Sequence, residues 1–193
     1  MRVLGISGTN GSGKDAIAKF IENNYGFLFV SVSDLLRDEA KKRNLPIERS
    51  VLRSISKEWR EISGLGCLVD KAVELYQAGA RKKTGVVVVS IRNPGEVERI
   101  KQLGGLVIWV DADPKVRYER VSKRTRSSED KKSYSLFLKE ERDEMTSSGT
   151  ASALDMKGVK NMSDIYLENN YQSIDELNRM LPRVLDGYLK VRY

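Results

Sequence analysis

Short apolar runs alternate with stretches of helical spacing along nearly the whole chain. Val3 to Ile6 predict a first buried strand, followed by a glycine-rich turn and a helical stretch from Asp15 to Asn23. Phe27 to Val30 predict a second strand, after which come two helical segments. In the second of these Ile47, Val51, Leu52, Ile55, Trp59 and Ile62 recur at helix-face spacing. Gly64 and Gly66 interrupt this pattern, and a further helix is predicted from about Cys67 to Ala80. Val86 to Val89 are four β-branched residues in a row, the pattern of a strand covered on both faces.

Asn93-Pro94 and Asp113-Pro114 each pair a capping residue with proline at a first helical position, so a helix is predicted after each. The core strand Leu106 to Val110 lies between them. The second of these helices is predicted to reach about Arg124, and a shorter one runs from Tyr134 to Met145. The stretch TSSGTASALDMKG reads as a loop and Ile165 to Leu167 as a fifth strand. Ser173 and Glu176 form a capping box before a last amphipathic helix with the stripe Ile174, Leu177, Leu181, Val184, Leu185 and Tyr188. Strands alternating with helices specify a doubly wound α/β domain. Its ligands belong in the loops at the carboxyl ends of the strands.

The loop after the first strand is Gly8-Thr9-Asn10-Gly11-Ser12-Gly13-Lys14-Asp15. It matches the phosphate-loop pattern GxxxxGK in the strand–loop–helix context that the motif requires. Glycines let successive backbone N–H groups turn inward on phosphate oxygens, and the helix that follows aims its positive end at the same point. Lys14 adds a point charge for the β- and γ-phosphates. The residue after the lysine is ordinarily Ser or Thr, whose hydroxyl ligates Mg²⁺; here it is Asp15. A carboxylate is a hard oxygen ligand, so Asp15 is the candidate metal ligand.

Composition narrows the chemistry. The 193 residues are 40% hydrophobic and 32% charged, the make-up of one folded domain, and no apolar run is long enough to span a membrane. The amino-terminal MRVLGISG lacks the features of a signal peptide, and the single cysteine, Cys67, suits a reducing compartment, so a cytoplasmic location is expected. With no histidine, Ser-His triads, imidazole bases and histidine-held zinc are excluded. Lysine and arginine exceed Asp and Glu by 34 to 27, a formal charge of +7 that calls for anionic partners. The basic runs Lys41-Lys42-Arg43 and Arg81-Lys82-Lys83 close predicted helices, where cations suit the dipole, and no basic motif interleaved with aromatics argues for a nucleic-acid surface. Trp59 and Trp109 fit core or acceptor-pocket packing equally well, and Cys67 reads as buried.

Four further stretches carry a resemblance. Ser31-Val32-Ser33-Asp34-Leu35-Leu36-Arg37 resembles the S-x-x-D-x-L-R segment of adenylate kinases and related nucleoside monophosphate kinases. Ser90-Ile91-Arg92-Asn93-Pro94-Gly95-Glu96-Val97-Glu98 is similar to the D-G-I-R-x-P-x-E-V-E stretch of an archaeal group of P-loop kinases related to dephospho-CoA kinase. Arg117, Arg120, Arg124, Arg126 and Arg142 resemble the arginine-studded lid of the same kinases, and residues 163–177 resemble their final strand and helix. The GKD form of the phosphate loop also looks like that of phage-type deoxynucleoside monophosphate kinases and animal-type phosphomevalonate kinases.

The resemblance implies a single three-layer P-loop NTPase domain over residues 1–193, with a five-stranded parallel sheet and helices on both faces. An acceptor-binding helical region would cover about 31–80, and a small helical lid about 125–145. It implies an ATP- and Mg²⁺-dependent kinase whose acceptor is a nucleoside or deoxynucleoside monophosphate, with dephospho-CoA second. Asp34 would lie by the acceptor or metal, Arg37 and Arg92 would hold the acceptor phosphate, and Arg124, Arg126 and Arg142 would close over the transferring group. Such a kinase would work as a monomer or homodimer. Where these kinases carry Asp after the third strand this chain has Val89 and Ser90, so Asp15 is expected to replace the lost charge. A nucleotide-dependent switch or ATPase acting on RNA or a protein, and a degenerate nucleotide-binding module, are the rival expectations.

Overall fold

The computed structural model describes residues 1–79, 82–123, 132–145 and 149–190. Its strands are β1 (Arg2–Gly8), β2 (Phe27–Ser31), β3 (Gly85–Val89), β4 (Leu106–Asp111) and β5 (Ile165–Glu168). They form one sheet in the order β2-β3-β1-β4-β5, and every pairing is parallel. β1 is central, with Ile6 opposite Val89 of β3 on one side and Ile108 of β4 on the other. The chain runs from β1 out to β2 and back to β3 on one side, then crosses to β4 on the other, so the carboxyl end of β1 lies at the switch point at which such sheets form a crevice.

The four consecutive valines of β3 explain the layers. Val86 and Val88 face one core and Val87 and Val89 the other, all fully buried. The second of these cores is closed by α1 (Lys14–Tyr25) and α9 (Ile174–Leu189), through Ile17, Ile21, Leu181 and Leu185. On the opposite face lie α2 (Val32–Lys42), α3 (Arg49–Ser63), α4 (Cys67–Gly79), α5 (Pro94–Gln102) and α8 (Met156–Met162), which contribute Leu36, Ile55, Leu68, Ile100 and Val159. Helices α6 (Pro114–Ser122) and α7 (Tyr134–Met145) stand beyond the carboxyl end of β4. The arrangement is the expected three-layer P-loop fold with a five-stranded parallel sheet.

Local signals account for most helix starts. Ser31 accepts a bond from the Asp34 amide and so caps α2. Asn93 and Glu96 form a complete capping box at α5, with Pro94 in the first turn. Asp113 caps α6 through Lys115 N.

Four expectations are corrected. TSSGTASALDMKG is not a loop throughout, because Asp155 caps α8 through Gly158 N and Met156 and Val159 are buried beneath it. The apolar face of α3 is narrower than its periodicity: Ile47 precedes the helix and is exposed, as is Ile62, while Ile55 anchors the core. On α9, Ile174 and Tyr188 are exposed at the ends of the stripe, and Leu189 is buried instead. Ser173 does accept from Glu176 N, but the Glu176 carboxylate accepts from Gln172 N, one residue before the cap. Trp109 is in the core with Trp59 packed at its edge, and Cys67 is buried.

Candidate active site

The phosphate loop is held from three sides before any ligand arrives. Thr9 donates through Oγ1 to Asp111 Oδ1 at 2.7 Å, tying the loop to the end of β4. Ser12, fully buried, donates through Oγ to the Thr9 carbonyl at 2.9 Å. Asn169, just beyond β5, donates through Nδ2 to the Ser12 carbonyl at 2.7 Å. Gly13 sits at φ 93° immediately before α1, and a Cβ placed there would lie 2.4 Å from Asn169 Nδ2. Glycine is therefore required twice over, by backbone angle and by space. No side chain caps α1, which leaves its amino end for an anion. Lys14 Nζ rests on the Gly8 and Thr9 carbonyls at 2.9 and 2.5 Å, inside the curl of the loop.

From this loop a cleft of about 840 Å³ extends toward the carboxyl ends of β2 and β3. Of the expected site residues, Asn10, Gly11, Gly13, Lys14, Asp15, Asp34, Arg37 and Arg92 line it. Gly8, Thr9 and Ser12 are buried behind it and shape the loop. Arg37 pairs at 2.6 Å with Asp34, which stands in the first turn of α2. Ser90 stands between β3 and Arg92 with φ 71°, a left-handed conformation uncommon outside glycine, and it too faces the cleft.

Arg92 is placed by its neighbours. Its backbone N–H donates to Glu96 Oε2 at 2.7 Å, and Asn93 N donates to the same oxygen at 3.2 Å. Glu96 is wholly buried, and its other oxygen accepts from Arg60 Nη2 at 2.7 Å and Nε at 3.1 Å. One carboxylate thus joins α3 to the turn that carries Arg92.

The lid region divides. Arg124 and Arg126 lie outside the described residues. Arg142 is exposed on α7 and does not line the cleft. Arg117 is structural: nearly fully buried, it donates to the Ala112 carbonyl and binds Glu141 of α7 with two nitrogens, so it staples α7 to the core. Arg120 holds the carbonyls of Asn169 and Tyr171. Neither faces the cleft.

Among the cleft residues not singled out in the sequence are Arg49 and Arg53 of α3. Together with Arg92 they surround Glu144 of α7. Burial pushes that carboxyl up, but the charges of Arg92, Arg49 and Arg53 and a bond from Arg53 outweigh it and bring its pKa to about 2. The signal was available: Arg49, Arg53, Ser56 and Arg60 form a polar stripe at helical spacing within an otherwise amphipathic helix. Asn169 carried no such signal, since only the folded loop shows what it holds.

The model for an AAA domain matches residues 4–147. A UPF0200 protein of Pyrobaculum aerophilum is 33% identical over 96% of this chain and 97% of its own length. The chain belongs to the UPF0200 family. Another member, from Saccharolobus islandicus, is 32% identical over 98% of this chain and 95% of its own. Among solved structures, shikimate kinase from Bacteroides thetaiotaomicron superposes with a TM-score of 0.58 at 12% identity, covering 96% of this UPF0200 chain and 98% of the kinase. A sugar kinase from Janibacter superposes with 0.54 at 16% identity, covering 96% and 95%. These likenesses establish that the UPF0200 chain has a P-loop kinase fold. Among its described residues no helix is long and apolar enough to cross a membrane.

Proposed function

We propose that this protein is an ATP-dependent phosphotransferase that moves the γ-phosphoryl group of ATP onto a small phosphorylated acceptor, a nucleoside or deoxynucleoside monophosphate. The observation that carries the reading is a single cleft lined both by the phosphate loop and by the side chains of Arg37, Arg92, Arg49 and Arg53. A phosphate loop and a group of arginines in one cavity suit a donor and an acceptor that both bear phosphate.

In this reading the loop amides and the amino end of α1 hold the donor's β- and γ-phosphates. Lys14 turns from the Gly8 and Thr9 carbonyls to the transferring group, exchanging neutral acceptors for charged oxygen. Arg37 and Arg92 hold the acceptor phosphate so that its oxygen lies in line with the γ-phosphorus. A bond forms from that oxygen to phosphorus as the bond to the ADP oxygen breaks, and ADP leaves. Such a transfer needs positioning and charge neutralisation more than covalent help, which a chain without histidine can supply.

Mg²⁺ fits the donor set, because it is usually held by one or two carboxylates with phosphate oxygens and water rather than by a protein cage. No group of three or more metal-ligating side chains occurs among the described residues, and Asp15 and Asp34 both face the cleft. Asp15 would hold the ion beside the phosphates, where it would neutralise charge between β- and γ-oxygens. Residues 31–80 would form the acceptor side and 125–145 a lid, whose Arg124, Arg126 and Arg142 would close over the transferring group.

The test is ADP release from Mg²⁺-ATP against a panel of nucleoside and deoxynucleoside monophosphates, dephospho-CoA and phosphomevalonate. Acceptor-dependent turnover that Lys14→Ala abolishes is the expected result, with Arg92→Ala weakening acceptor use much more than ATP binding. The AAA-domain match favours a second reading, ATP hydrolysis coupled to RNA or a protein. Turnover indifferent to every small acceptor, but raised by RNA, would replace the first reading with that one.

A further inference from the structure

The carboxylate of Glu144 occupies the place where an incoming anion would meet α3 and the β3–α5 turn. Arg53 Nη2 donates to its Oε1 at 2.7 Å, Arg49 Nη1 lies 3.4 Å from the same oxygen, and Arg92 Nη1 lies 3.4 Å from Oε2. Only one of the three contacts is short, so a two-oxygen anion satisfies three guanidinium groups poorly. The three arginines face two carboxylates, Glu144 and, at Arg49, Glu140, so exchanging the Glu144 monoanion for the dianion of a phosphate monoester would balance the charge. The side chain of Glu144 is 11% exposed, although the helix that carries it is otherwise largely polar and open to solvent.

We propose that Glu144 is an internal stand-in for the acceptor's phosphate, holding the arginine trio and the inner face of α7 together until a phosphate monoester displaces it. This rests on the acceptor side of the cleft as read above, and it adds a coupling that the reading lacks. The phosphate that enters the trio releases the carboxylate, and with it the end of α7 nearest the cleft. Further contacts of α7, from Arg117 to Glu141, from Lys132 to Glu140 and from the Tyr118 ring to Tyr134 and Phe137, do not involve the trio and keep the helix attached. Acceptor binding therefore repositions α7 rather than detaching it. A ligand with a single negative charge and two oxygens gains little over Glu144, so the arrangement also selects for phosphate over carboxylate.

The probe is inorganic phosphate, titrated calorimetrically into the full chain already saturated with a non-hydrolysable ATP analogue, so that the phosphate loop is filled. Glu144→Gln is expected to bind phosphate roughly tenfold more tightly than the parent, the scale of one charge-assisted contact no longer competing. Glu140→Gln removes the same charge from the same helix face, yet Glu140 touches only Arg49 of the trio at 3.4 Å, so its effect should stay within about threefold. Arg53→Met added to Glu144→Gln should reverse the gain. In the parent, phosphate should also speed amide exchange in residues 134–145.

Equal or weaker phosphate binding by Glu144→Gln overturns the proposal, since the carboxylate would then be orienting the arginines rather than blocking them. Equal gains from both Gln variants overturn it as a general charge effect, and so does a failure of every form to bind phosphate. The phosphotransferase reading falls separately, if no acceptor in the panel stimulates ADP release while phosphate still binds.

Discussion

Glu96→Gln replaces a carboxylate by a group of the same shape, and the structure says that it should be among the most damaging single changes in the chain. All four groups that touch Glu96 are donors: Arg60 Nε and Nη2 on one oxygen, and the backbone amides of Arg92 and Asn93 on the other. A glutamine amide offers one oxygen and one NH₂, so in either orientation one pair of donors faces another donor. Arg60 is also left with no counter-charge from this partner, and its side chain is 2% exposed against 0% for Glu96. Breaking one side of a buried pair costs about 3–5 kcal/mol. For a domain of this size each kcal/mol lowers Tm by about 2–4 °C, so a fall of roughly 6–20 °C is expected. Calorimetric melting measures it, with urea titration to show that the m-value is unchanged. Arg60→Met combined with Glu96→Gln should lose less than the two single changes summed, because the unpaired charge is gone. A loss below about 1 kcal/mol in Glu96→Gln would refute the reasoning, as would strict additivity in the double variant.

Other outcomes follow from the same geometry. Gly13→Ala should weaken ATP-analogue binding by at least tenfold in calorimetry, since the added methyl group meets Asn169 and the φ of 93° is strained for any side chain. Glu144 has a folded pKa of about 2 against an ordinary 4.5, so its contribution to docking α7 is complete above about pH 4.5 and is lost as pH falls toward 2. Amide exchange in residues 134–145 should accelerate through that window, and Glu144→Gln should remove the dependence. Burial pushes the Cys67 thiol up, with the Glu96 charge adding to it, so a thiol reagent should label the native protein at neutral pH far more slowly than the unfolded chain.

The elements that sequence reasoning placed well are those whose signals are local. A run of β-branched residues, a capping asparagine followed by proline, or a glycine loop between strand and helix needs no knowledge of the rest of the chain. The phosphate loop was legible for that reason, and Arg92 was legible because it directly follows a buried strand. Periodicity failed at its margins: Ile47, Ile62, Ile174 and Tyr188 keep the helical phase, but lie where no opposing element covers them. Position on the lid helix gave Arg142 a role by resemblance, whereas the arginines that face the cleft from α3 depend on how that helix is rolled against α2 and the sheet. The partnership of Glu96 with Arg60 spans 36 residues and that of Asn169 with Ser12 spans 157, and nothing local announces either.

That last distance also sets an order of events. The curl of residues 8–13 leaves a ribosome well ahead of its clamp, since the side chain that holds the Ser12 carbonyl arrives 157 residues later. At about 5–20 residues per second this is an interval of roughly 8–30 s. Over that interval β1 has neither its β4 neighbour for most of the time nor the Asn169 clamp at any time, so the nascent loop is unfinished. Completion of the loop therefore reports the arrival of β5 and Asn169 rather than of the motif itself.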